Sequence, residues 1–272
     1  MSLERLLAGD LDAWLAAPPP AFWLFVHVPK TAGSSLAAEL SRELAPYVSL
    51  HIDHLDRSRP GPMRFDAVVE RFLAAQPPRF ASGHILWRHA SRIVAERPGT
   101  AMLTLLRDPV ARHVSDYLYQ RSAQHPLWRE FQARVPNFAA FLDLPGPRNR
   151  AARHLLPEAM IRAGDLAAAI AHVRRHFAFV GVQERYALAV RLLTARLGTA
   201  RAPTQRKRVN DEAAEERAAT LAALEDPALR ARLLADNAMD VALYRHFAAA
   251  WDDAAPALEA ALAIRGVTGG DA

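Results

Sequence analysis

The chain contains no cysteine. That excludes a disulfide framework, a thiolate-ligated zinc site and a cysteine nucleophile, and it fits a reducing compartment. No window supplies the ~20 uninterrupted apolar residues of a membrane span. The amino terminus, MSLERLLAGDLDAWLAAPPPAFWLF, carries acids early and lacks a basic segment ahead of a clean apolar one, so it does not have the form of a signal peptide. A soluble, cytoplasmic protein is the expectation. Lysine is also scarce, because Lys30 and Lys207 stand against 32 arginines. Lys30 therefore marks either a chance survivor or a position that needs a compact ammonium in place of a planar guanidinium.

The 272 residues, 51% of them hydrophobic, suffice for one large α/β domain or two small ones. A net charge of +5 admits a polyanionic partner, but acids and bases are interleaved along the chain, which argues against a nucleic-acid track. Apolar runs rich in β-branched and aromatic residues predict strands over 22–28, 47–52, 79–84, 101–106 and 177–182. Helical spacing follows most of them, with Leu36, Leu40 and Leu44 in the first helix and Phe65, Val68, Val69, Phe72 and Leu73 in the second. Strands alternating with helices predict an α/β fold, a mostly parallel central sheet flanked by helices, with a helical region from 211 to the end. Residues 1–21 read as a leader, 22–250 as a single domain and 251–272 as a helical tail. The stretch 123–164 is broken by prolines into short helical pieces, as in an insertion that shapes a pocket.

Three segments carry chemistry. In FVHVPKTAGSSLAAEL (25–40) a buried strand runs into a helix start, where unpaired N–H groups and the helix dipole are ready for an anion. Ala32 and Gly33 allow close backbone approach, Thr31, Ser34 and Ser35 offer hydroxyls, Lys30 adds a point charge, and Ser34 or Ser35 is placed to cap the helix. The lysine precedes the glycine, so this is not a Walker A loop. An ordinary βα turn is the plainer alternative. In RDPVARHVSDYLY, Arg107 closes a strand, Pro109 suits a first helical turn, and Ser115 lies about two turns on, near the carboxyl edge of the sheet. Asp108 could pair with Arg107 or cap the helix. In SGHILWRH, His84 follows Gly83 at a strand end. A lone histidine is usually packed or solvated, and His51 and His54 without spaced carboxylates do not make a zinc site, so no metal is expected.

Together, in this order, the segments resemble the PAPS-dependent sulfotransferases, in particular the branch with heparan and uronyl 2-O-sulfotransferases and bacterial relatives. HVPKTAGSS is similar to the family's H-x-P-K-T-G-G-T-S, with Ala32 and Ser34 as departures; RDPVARHVS carries its R-D-P and helix serine. Gly83-His84 falls on the Gly-His of the 2-O-type enzymes, which have a further histidine where this chain has Ser82. The resemblance spans roughly 22–250 and implies a P-loop-NTPase-like sulfotransferase architecture. It implies a donor site in which Lys30, Thr31, Ala32, Gly33, Ser34 and Ser35 cradle the 5′-phosphosulfate, and Arg107 with Ser115 takes the 3′-phosphate. It further implies His84 as the base, Lys30 as the group that stabilises the leaving oxygen, and a late basic loop with Arg206, Lys207, Arg208 and Asn210 closing on the nucleotide. PAPS is then the donor, PAP the product, and the partner a hydroxyl-bearing acceptor such as a saccharide or glycolipid. Arg148, Arg150 and Arg153 read as a solvated face or as a site for an acidic acceptor. The competing readings are a nucleotide kinase-like phosphotransferase and a non-catalytic nucleotide- or polyanion-binding protein.

Overall fold

The computed structural model describes residues 2–52, 61–204 and 214–266. Its centre is a five-stranded sheet in the order β2-β3-β1-β4-β5, made of β1 (Phe22–Val26), β2 (Tyr47–Ser49), β3 (Phe80–Gly83), β4 (Thr100–Leu106) and β5 (Phe177–Val182). Every pairing is parallel. All five side chains of β1 are buried, as its unbroken apolar run requires for a strand covered on both faces. The connections are helical, including Gly33–Glu43, Gly61–Ala74, Trp87–Glu96, Pro109–Arg121 and Leu166–His176.

The edge strand β2 is shorter than its sequence pattern. It pairs only with β3, from Tyr47 opposite Phe80 to Ser49 opposite Ser82, and β3 ends one residue later at Gly83. Leu50 makes a last bond from its N–H to the Ser82 carbonyl at 2.8 Å, after which there is no ladder to continue.

After β1 the chain passes to the β2 side of the sheet, and after β4 to the β5 side. The crevice between these neighbours therefore opens at their carboxyl ends, where the sheet's connections diverge. The buried Thr104 hydroxyl of β4 donates to the Val26 carbonyl of β1 at 2.9 Å, which locks the two strands together just below that crevice.

Residues Ser2–Leu7 and Leu11–Ala16 form two short helices whose Leu3, Leu6, Leu11 and Trp14 belong to the main core. The Arg196 guanidinium donates to the carbonyls of Trp14, Ala17 and Pro18. At the other end, Ala238–Ile264 is one continuous helix through position 250, burying Phe247, Trp251, Leu258 and Leu262. No helix among the described residues is long and apolar enough to cross a membrane. The insertion forms a smaller core of its own, in which Phe131, Phe138 and Phe141 pack on Val114 and Tyr117 of the Pro109–Arg121 helix.

Trp251 is fully buried, and its indole N–H donates to the Val180 carbonyl of β5 at 2.7 Å. Trp251→Ala is expected to destabilise the protein by about 3–5 kcal/mol, the range for large aromatic truncations. Urea unfolding followed by circular dichroism measures it, and a loss below about 1 kcal/mol would separate the carboxyl-terminal helix from the fold.

Candidate active site

The loop after β1 has an unusual backbone. Lys30 (φ 70°) and Ala32 (φ 63°) both lie in the left-handed region, at a cost of roughly 1–3 kcal/mol each for non-glycine residues. Gly33 opens the helix Gly33–Glu43 and lies flat on the His27 ring. A Cβ built there would stand 2.1 Å from His27 Cδ2 and 2.2 Å from Nε2, so no larger residue fits without moving the imidazole. Ala32 is the N-cap residue and makes no side-chain cap hydrogen bond. The expected capping by Ser34 or Ser35 therefore does not occur, because the helix begins at Gly33 and both serines fall inside its first turn. That turn keeps backbone N–H groups available to an anion. The hydroxyls divide by position. Thr31 is fully buried and donates to the Val28 carbonyl at 2.8 Å, so it braces the loop; Ser35 is buried, and Ser34 is half-buried.

Lys30 Nζ rests 4.0 Å from the centroid of the Tyr119 ring, a cation–π contact with the Pro109–Arg121 helix. One turn back on that helix, the buried Asp116 carboxylate pairs with Arg150 at 2.9 Å and Arg112 at 3.6 Å. Burial pushes its pKa up, but the positive charges of Arg150, Arg112 and Lys30 outweigh that and hold it below the ordinary carboxylate value.

Arg107 directly follows the last residue of β4 and donates from Nη1 to the Lys30 carbonyl at 3.1 Å, tying the loop after β1 to the end of β4. Burial lowers its pKa, partly offset by Glu184. Asp108 caps its own helix, its carboxylate accepting from the Ala111 N–H at 2.8 Å. Ser115 lies half-buried in that helix's second turn. Arg206, Lys207, Arg208 and Asn210, like His54, lie outside the described residues.

On the other side of β1, Gly83 packs so closely on Leu50 that a Cβ would meet the Leu50 carbonyl oxygen at 2.6 Å. His84 follows. Its Nδ1 lies 2.7 Å from the His27 carbonyl oxygen, and since a carbonyl only accepts, Nδ1 carries the hydrogen and Nε2 the lone pair. Burial, reinforced by His51, pushes the His84 pKa well below 6.5, so the ring is neutral at pH 7. This is a positioned, uncharged imidazole whose second nitrogen is left basic.

Of the groups around it, the sequence had marked only His51. His27 lies at 4.2 Å and His51 at 4.6 Å between ring centroids, and His154 at 6.5 Å. One ring nitrogen from each of His27, His51 and His84 falls within 4.8 Å of the others, a trio able to hold a borderline cation. Ser82 instead meets the Tyr47 hydroxyl at 2.9 Å. The one signal for His27 was its place two residues before Pro29-Lys30; for Asp116 it was its i,i+4 place after Arg112, and for Tyr119 its place three residues beyond Asp116.

No protein-family model matches the chain, and no curated protein does. Among solved structures, it is similar to a sulfotransferase from Alicyclobacillus acidocaldarius at 21% identity and a TM-score of 0.38, over 80% of this chain and 96% of that one. It is also similar to the mouse sulfotransferase SULT7A1 complexed with PAP, at 18% identity and a TM-score of 0.42, over 80% of this chain and 68% of that one. At such overlap neither match assigns a residue here.

Two measurements test this geometry. Gly33→Ala is expected to cost about 1–3 kcal/mol as an overpacking change, and markedly less in a His27→Ala background where the ring is gone. Equal losses in both backgrounds would remove the glycine–imidazole contact. Acid stability tests the buried imidazoles. Burial holds His84 well below 6.5, and His113 and His154 at about 3. Unfolded, each binds a proton near pH 6.5, so the unfolded state gains protons first and stability falls as pH drops below that value. Urea melts from pH 7 to pH 4.5 should show up to about 1.4 kcal/mol lost per pH unit for each imidazole. A flat profile contradicts their burial in the neutral form.

Proposed function

We propose that the chain is a PAPS-dependent O-sulfotransferase that moves a sulfuryl group to a hydroxyl of a carbohydrate or glycolipid and releases PAP. The observation that carries this reading is the adjacency of three strand ends. β3, β1 and β4 are neighbours in one parallel sheet, so His84, the Lys30 loop and Arg107 emerge side by side at its carboxyl edge. Neighbouring strands stand about 4.8 Å apart, which is the scale of the group to be transferred.

Within this reading the uncapped first turn of Gly33–Glu43 receives the phosphosulfate, with Ser34 as the accessible hydroxyl. Lys30 leaves the Tyr119 ring to meet the charge that develops on the bridging oxygen. Arg107 keeps donors beyond the one given to Lys30 and, with Ser115, takes the 3′-phosphate. His84 Nε2 accepts the proton of the acceptor hydroxyl. The acceptor enters from the insertion, where Gln120, His125, Leu127, Glu130, Phe131 and Arg134 line a cleft of about 380 Å³. Its His125 ring lies 5.4 Å from that of Tyr119, the ring on which Lys30 also rests. Catalysis here is positioning and charge stabilisation, with no metal in the scheme; the cytoplasm, consistent with a cysteine-free chain, is its proposed place.

The test is radiolabelled sulfate transfer from PAPS into an extract of the source cell. His84→Ala and Lys30→Ala are each expected to lower turnover by about two to four orders of magnitude, and Arg107→Ala to weaken calorimetric affinity for PAP. A folded His84→Ala protein with normal turnover removes the base. Thermal stabilisation by ATP with magnesium but not by PAP points instead to the phosphotransferase reading, and tight PAP binding with no transfer to a non-catalytic one.

A further inference from the structure

Of the three arginines in the run RNRAAR, the structure turns one toward the site. Arg148 pairs with Asp236 at 3.6 Å and donates to the Leu142 carbonyl, while Arg153 donates to the carbonyls of Pro145, Gly146 and Arg148. Arg150 opens the helix Arg150–Leu155 and reaches back to Asp116. Two contacts fix where it lies. His154, one turn along the same helix, is 2.8 Å from Nδ1 to the carbonyl of Ile85, the residue after His84. Asp116, its partner, is three residues from Tyr119, over whose ring Lys30 rests. Arg150 therefore lies within electrostatic reach of His84, and its partner Asp116 within reach of the Lys30 ammonium.

Its backbone is held rigidly. The Asn149 side-chain oxygen accepts from the N–H groups of Met239 and Asp240 at 3.1 and 3.2 Å. In return, the buried Asp240 carboxylate accepts from Ala151 and Ala152 at 3.0 and 2.8 Å, so two helix starts cap each other. The Arg150 side chain is 26% exposed against 1% for Arg112, the other arginine on Asp116. It alone of that pair has surface to offer a ligand. With Lys30, Arg112 and Arg150 around one carboxylate, the cluster carries surplus positive charge.

We propose that Arg150 is a further catalytic residue, whose guanidinium contacts the non-bridging oxygens of the sulfuryl group in transit, with Asp116 as the positioning residue that holds it. This rests on the sulfotransferase reading. In the step, the acceptor oxygen bonds to sulfur as the sulfur–oxygen bond to the donor phosphate breaks. The electron pair of the broken bond stays on the phosphate oxygen, and the acceptor proton passes to His84 Nε2. The sulfuryl oxygens carry negative charge throughout, and a planar fork anchored on one side by a carboxylate presents its other donors to them.

The experiment uses the full chain, with PAPS as donor and water as a universal acceptor, following labelled sulfate release beside calorimetric binding of PAP. Arg150→Ala is expected to lower release about 100-fold, the scale for loss of a transition-state donor, while PAP, which lacks the sulfuryl group, binds within threefold of wild type. Guanidinium ion at millimolar concentration should restore at least tenfold in that variant, which a merely structural role would not allow. Asp116→Asn should lower kcat about tenfold with KM for PAPS unchanged. If Arg150→Ala does not fold, Arg150→Lys carries the test, with about a tenfold loss at unchanged PAP affinity. Wild-type turnover in the variants, absence of guanidinium rescue, or PAP affinity falling in parallel overturns the assignment. A wild-type chain that binds no PAP and releases no sulfate overturns the sulfotransferase reading itself, and this inference with it.

Discussion

The carbonyl oxygen of His27 accepts the Nδ1 hydrogen of His84, and the His27 ring fills the space that Gly33 leaves open. One residue thus fixes both halves of the site from the centre of the sheet. Its N–H extends the pairing of β1 with β3 by donating to the Gly83 carbonyl at 3.0 Å, its carbonyl sets the tautomer of the proposed base, and its ring sets how closely the helix start can approach. The strained conformations of Lys30 and Ala32 follow from the same constraint, since the chain must turn within the six residues between Val26 and Gly33 from the strand to a helix packed on that ring. The Arg107 bond to the Lys30 carbonyl closes the arrangement from the β4 side.

Around this centre the electrostatics work in two registers. The imidazoles are kept neutral by burial, which suits proton acceptance. The arginines are organised by few carboxylates. Asp116 gathers Arg112 and Arg150, and Asp240 instead joins two helix starts. A buried carboxylate with one partner would serve stability alone; one with cations left over on an open side makes an anion site. The aromatic insertion core on the Pro109–Arg121 helix keeps that helix, and with it Asp116 and Tyr119, in register with the loop.

Much of the fold was legible in local pattern. The run FWLFV declared a strand covered on both faces because it has no polar alternation, and Pro109 with Asp108 declared a helix start because one fixes φ and the other caps. The Lys30 loop, His84 and Arg107 were legible as strand-end residues for the same reason. Other parts were not. Ser34 and Ser35 look like caps by composition, yet the helix begins earlier because Gly33 can lie on an imidazole. Thr31 looks like a ligand hydroxyl, yet it is turned inward to the Val28 carbonyl. Residues 1–21 read as a leader, yet Leu3, Leu6, Leu11 and Trp14 lie in the core, because the apolar face they fill belongs to β5 and to the Ala238–Ile264 helix.

The sequence by itself determined the class of fold, the order of its strands and helices, and which residues stand at the strand ends, because these follow from periodicity and from the fixed geometry of glycine and proline. It also set the shortage of lysine that made Lys30 conspicuous. Only the tertiary structure decided that β3, β1 and β4 are neighbours, that His27, His51 and His154 surround His84, and that Arg150 alone of its run pairs with the buried Asp116. These are contacts between segments far apart in the chain, such as Phe22 opposite Thr100 and His84 beside His154. Their pairing depends on strand order and helix packing, which no local pattern encodes.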